Sequence, residues 1–205
     1  LSAIWFYAYI FLVMLMYARI KIRDTVRVPP SRFGEDINEV IEDLLWEQFE
    51  GKLDREYGMI IGIENIEDLG EGRIIEGDGA VYYDVVFNAI TFKPSMQEVV
   101  EGEVMEVVEF GAFVTIGPLD ALLHMSQITE DYVIFDEKNK RLIGKETRKA
   151  LSEGDFVRAR IVALSLKERE PDKSKIGLTM RQPWLGNLKW LEEELEKLET
   201  EKTEV

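Results

Sequence analysis

Phe110 and Phe113 stand on either side of Gly111. Flat rings spaced this way can stack the bases of a single-stranded nucleic acid, each base contributing on the order of 1 to 3 kcal/mol. His124, the single histidine, is a third ring for such work. Lys175, Arg158, Arg160 and Arg181 are cations that can follow a phosphate backbone. Each has a plainer alternative: the phenylalanines as core residues, the histidine as hydrogen-bonded support, the arginines as solvated strand faces. Other chemistries find no residues. The chain has no cysteine, hence no disulfide, thiolate ligand or thiol nucleophile. It has no GxxxxGK phosphate loop, and no Ser/His/Asp set is available beyond the one histidine. Glu64, Glu67 and Asp68 match no known metal-loop spacing. We therefore expect no metal, no cofactor and no enzymatic activity of the isolated chain.

The net charge of −15 argues against a phosphate-bearing partner, but its distribution does not. From Pro94 to Glu137 there are ten acidic and no basic residues; from Lys138 to Arg181 there are thirteen basic and six acidic. Screening over roughly 8 to 10 Å makes local charge count for more than the total. If the basic strands share a face with the rings, an anion as a whole can still hold RNA.

The elements that must position these residues fall into two groups. Met16 to Arg23 alternates as a strand, and Val26 to Gly34, with Pro29 and Pro30, reads as an extended exposed loop. Apolar residues from Glu35 to Phe49 recur at three and four, predicting an amphipathic helix on a sheet of Met16–Arg23, Tyr57–Glu64 and Val81–Phe92. Glu64 to Gly72 reads as a solvated loop, and Asp78-Gly79 as a hairpin turn. Lys93-Pro94 marks a boundary. Beyond it, Glu98 to Ile116 predicts one long strand bent at Gly111. A strand and turn at Asp120–Ile128 follow, then a hairpin of Tyr132–Asp136 with Arg141–Ile143, then strands at Gly154–Leu166 and Lys175–Met180 around the loop Lys167–Ser174. From Trp184, Leu188, Leu191, Leu195 and Leu198 predict a single amphipathic helix, its stripe read as structural packing with a partner-binding helix as the alternative. The uncharged Leu1 to Ala18 is near the lower limit of a membrane span. It lacks a basic leader and runs straight into the first strand, so we expect residues 1–15 to be a non-native upstream extension before Met16, and no membrane partner.

Gly102, Val104 and Val107 ahead of Phe110-Gly111-Ala112-Phe113-Val114, then Leu122-Leu123-His124, Ser126-Gln127-Ile128, Gly154-Asp155, Val157, Ala159 and Lys175 to Arg181, resemble the S-one RNA-binding domain, an OB-fold repeat. The resemblance implies an RNA face of Phe110, Phe113 and His124 with Lys175 as its basic position. A polar position preceding the last strand has no counterpart in Leu164 to Asp172. With Met16 to Pro30, the Glu35–Phe49 helix, the Gly77-Asp78-Gly79 turn and Val85-Val86-Phe87, the chain is similar to the E-prime family of archaeal RNA polymerase subunits, related to the seventh subunit of the eukaryotic enzyme. That implies an α+β truncated ribonucleoprotein-like domain at 16–93, an all-β OB-fold barrel at 94–182 and a C-terminal amphipathic helix with an acidic tail at 183–205. It further implies a cytoplasmic stalk subunit that binds single-stranded RNA. Core polymerase contacts fall at Pro29, Pro30, Arg32 and Phe33. Contacts to a small helical partner subunit fall at Val81, Tyr83, Val85 and Phe87. A translation-initiation or exosome adaptor with the same barrel accounts for the C-terminal half alone.

Overall fold

The computed structural model describes residues 16–49, 51–167 and 174–203. The expected extension at 1–15 and most of the loop after Lys167 lie outside these. The chain forms two compact units that part between Pro94 and Ser95. No described helix is long and apolar enough to cross a membrane.

In the first unit, β1 (Tyr17–Val28) is followed by α1 (Ile37–Phe49), β2 (Leu53–Asp54), β3 (Gly58–Leu69), β4 (Arg73–Ile74) and β5 (Val81–Phe92). The sheet order is β1-β5-β3-β2, with β4 pairing with β5. Asp36 starts α1: its carboxylate accepts from the amides of Asn38 (2.9 Å) and Glu39 (3.4 Å), satisfying donors that the first turn leaves open. The apolar stripe Val40, Ile41 and Leu45 buries against Val26, Val28, Ile60, Val85, Phe87 and Ala89.

Three expectations change here. The strand predicted to end at Arg23 continues to Val28, every residue paired with β5, because Val26 and Val28 fill the core beneath α1. The two prolines do not keep the next segment extended, since Pro30–Arg32 makes one 3-10 turn. Proline fits there because a first-turn amide would lack a partner anyway. The acidic stretch from Glu64 is strand rather than loop, to Leu69. Three register shifts along β3 break the alternation that a sequence reading needs, and Glu64 and Glu67 close ion pairs with Arg19 and Lys21. No group of three or more carboxylates or histidines that could hold a metal occurs among the described residues. Val85 and Phe87 are fully buried under α1, so their side chains cannot touch a partner subunit. Val81 and Tyr83 are half-buried.

In the second unit, β6 (Val99–Val108), β7 (Gly111–Ile116) and β8 (Leu119–His124) lead into an inserted sheet of β9 (Val133–Asp136), β10 (Arg141–Gly144) and β11 (Ala150–Ser152). The expected hairpin is present, and a third strand joins it. The chain returns through β12 (Phe156–Ser165) and β13 (Lys175–Thr179), where β13 closes the five-stranded barrel by pairing with both β8 and β12. The long strand expected across Gly111 is instead two antiparallel strands, with Val108 opposite Gly111. After β14 (Gly186–Asn187) comes α2 (Leu188–Thr203). Its stripe packs only at the start: Leu191 is 8% exposed, whereas Leu195 and Leu198 are 42% and 45% exposed.

Candidate nucleic-acid interface

Glu109 and Phe110 are the two residues left to turn the β6–β7 hairpin. At a turn no sheet face is available to bury a ring, and Phe110 is 48% exposed. Its carbonyl accepts from the Met125 amide at 2.9 Å, tying the turn to the end of β8. In β7 the buried set is Ala112, Val114 and Ile116, so period-two alternation sends Phe113 outward. The rings of Phe110 and Phe113 meet edge to face, centroids 6.3 Å apart and planes at 87°. Neither is a core residue. Gly111 lets β8 come close, since a Cβ there would lie 2.4 Å from the Leu123 carbonyl oxygen.

His124 lies opposite Gly111 and is exposed. Its Nδ1 accepts from the Ser126 amide (3.3 Å) and lies 2.8 Å from Ser126 Oγ, which leaves Nε2 as the donor of the neutral ring. The outward row runs from Glu106 through Phe113 and Leu122 to Gly177. Two residues back along β13, Lys175 is exposed and forms no ion pair among the described residues.

The other cations are not gathered here. Arg158 is held by Glu101 at 2.7 Å, and Arg160 donates to the Gln97 carbonyl. Both sit on β12 opposite Glu101 and Val99. Glu101 is five residues along β6 from the Glu106 level, about 16 Å at strand rise. Arg181, exposed just past β13, lines a shallow depression with Ile128, Lys149 and Trp190. Six of the thirteen basic residues stand between Lys138 and Lys149, in the inserted sheet and its loops. The expected single face of rings and cations is therefore narrower than the sequence implied: Lys175 shares the outward face of the Phe113 row but lies two residues along β13 on the side away from His124, while Glu106 and Glu109 border the rings.

In the first unit the turn at Pro30–Arg32 and the turn at Ile75–Asp78 lie close, since a Cβ placed on Gly79 would lie 3.6 Å from Pro30 Cγ. Arg27 forms a two-pronged pair with Asp78 (2.7 and 2.8 Å), which also accepts from the Tyr82 hydroxyl. Arg32 is engaged internally, reaching Glu35 at 2.8 Å and Asp43 at 2.9 Å, and those bonds raise its guanidinium pKa. Phe33, Ile74 and Ile75 are left exposed around this tip. Sequence reasoning missed Ile74 and Ile75, although an adjacent isoleucine pair in an otherwise polar turn was the signal.

Residues 23–79 match the family model described as the SHS2 domain found in the N terminus of Rpb7p/Rpc25p/MJ0397, and residues 93–172 match the S1 RNA binding domain. The chain is similar to the DNA-directed RNA polymerase subunit Rpo7 of Saccharolobus shibatae, 43% identical over 178 residues that cover 86% of this chain and 97% of that one. It is 28% identical over 175 residues to the DNA-directed RNA polymerase II subunit rpb7 of Dictyostelium discoideum, covering 83% and 98%. Likeness to the DNA-directed RNA polymerase III subunit RPC8 of Bos taurus is 26% over 162 residues, covering 76% and 79%.

Proposed function

The chain belongs to the family of the seventh subunit of archaeal and eukaryotic DNA-directed RNA polymerases, and from that premise we propose how its parts divide the work. It is an SHS2-type α+β domain followed by an S1-type OB barrel and a helix, a polymerase subunit with no catalytic role of its own. The tip of the first unit docks on the core enzyme through Pro29, Pro30, Phe33, Ile74 and Ile75, with Arg32 bracing the turn. The Val81 and Tyr83 stretch receives a small helical subunit, making a heterodimeric stalk in the cytoplasm. The barrel leads emerging single-stranded RNA across Phe110, Phe113 and His124, with Lys175 on its phosphates.

The observation that carries the RNA role is the outward edge-to-face pair of Phe110 and Phe113 beside His124. An exposed ring and a half-buried one beside a hydrogen-bonding imidazole, with a lysine on the same outward face that has no ion pair among the described residues, suit stacking on bases, and acidic neighbours make stacking rather than charge the main attraction. A translation-initiation or exosome adaptor would leave the first unit without a use. Replacing Phe110, Phe113 and Lys175 together by alanine is expected to weaken single-stranded RNA binding by tenfold or more, read by fluorescence anisotropy, with heterodimer formation intact. Parental affinity in that variant would place the RNA elsewhere.

A further inference from the structure

The leucine stripe of α2 outruns the surface it packs on. Leu188, Leu191, Leu195 and Leu198 recur at three, four and three, the spacing of the seam residues in a pair of coiled helices. The start of α2 is anchored. Leu191 is buried, the Lys189 ammonium donates to Asp155 at 2.7 Å, and Lys149 reaches Glu194 at 2.6 Å while lying 5.4 Å from the centre of the Trp190 ring. Leu195 and Leu198 continue the same stripe into solvent.

The flanks of that seam restrict what can cover it. In a heptad with Leu188, Leu191, Leu195 and Leu198 as its inner positions, the bordering residues are Glu192, Glu194 and Glu199. Two copies of this helix, parallel or antiparallel, would set glutamate against glutamate across the seam, which destabilises pairing. The other basic side chain within the described side chains of the helix, Lys197, falls on the outer side of the heptad. A second copy is thus a poor occupant, and a helix with the opposite charge a good one.

We propose that the distal turns of α2 are a docking face for an amphipathic helix of a different chain, one whose leucine or isoleucine stripe is bordered by lysine or arginine. Neither ring of the Phe110–Phe113 pair takes part, so helix docking and RNA binding are separable.

The probe is a synthetic three-heptad helix with leucine at the inner positions and lysine at the bordering ones, titrated against the full chain by anisotropy, with its glutamate-bordered twin as the control. The lysine helix is expected to bind and the glutamate helix not. Leu195→Ser with Leu198→Ser is expected to weaken binding tenfold or more at an unchanged melting temperature. Leu195→Ile with Leu198→Ile stays within about twofold. Glu192→Lys with Glu199→Lys reverses the preference toward the glutamate helix. Indifference to the charge reversal, or equal binding by the serine variant, overturns the proposal. In assembled polymerase, a photo-crosslinker at position 198 is expected to join a basic amphipathic segment of another polymerase chain. Adducts only to a second copy or to this chain's own barrel, or no protein adduct at all, overturn it.

Discussion

Asp78 shows how much one side chain can hold at the tip. Its carboxyl lies well below the usual carboxylate range, first because of the Arg27 hydrogen bonds and then because of the Tyr82 hydroxyl and the Ala80 amide. A group whose folded pKa is depressed stabilises fully above its unfolded value, about 3.9, and loses that contribution as pH falls toward the folded value. The melting-temperature gap between the parent and Asp78→Asn is therefore expected to be constant above about pH 5 and to close below about pH 4. A gap unchanged at pH 3 would show that the ion pair does not carry it. At the same tip, Phe33→Ala is expected to reduce co-purification with core polymerase several-fold without altering the melt, and full recovery would rule out that contact. From residue types alone the aim of Phe113 stayed open between core and surface, because Ala112, Val114 and Ile116 on the other face of β7 are apolar too; the resemblance to the S-one domain alone implied that it faces outward. Only the count of two residues in the Glu109–Phe110 turn fixes which set faces in.

At the scale of elements, α1 and β5 were legible because their patterns are strong: helical spacing over about four turns, and a long run rich in β-branched and aromatic residues, interrupted only by Asp84, Asn88 and Thr91. Phe87 is the joint between them. It is fully buried and packs against Phe49 with ring centroids 5.5 Å apart. Phe87→Ala is expected to cost about 3 to 5 kcal/mol in urea unfolding, and a loss under 1 kcal/mol would mean that the helix and sheet repack freely. β3 was legible only in its first half. Bulges shift the facing set at three places, so Glu64 and Glu67 looked like loop acids when they reach across β5 to ion pairs with Arg19 and Lys21 of β1. α2 misled in the opposite direction: leucine spacing records that a stripe exists, not how far the surface under it extends.

For the molecule as a whole, the charge totals were correct but their placement was not deducible from order along the chain. Six of the cations stand in β9 to β11 and their loops rather than on the barrel strands, and Arg158 is neutralised by Glu101. Lys175 and Arg181 are then the exposed cations of the candidate set without an ion pair among the described residues. At about −0.7 per phosphate contact for a single strand, two contacts predict a slope near −1.4 in a plot of log affinity against log salt. A measured slope steeper than about −4 would bring the inserted sheet into the RNA path.

The barrel closes where Gly177 meets Leu122, strands far apart in sequence running side by side in parallel. During synthesis the hairpin that bears the two rings can form early, from neighbouring residues, but its cylinder stays an open sheet until the stretch around Gly177 has left the ribosome. Joining such distant segments is slow compared with local hairpin formation. A nascent chain arrested before Lys175 should accordingly be open to proteases along β8, and release past Met180 should protect that strand.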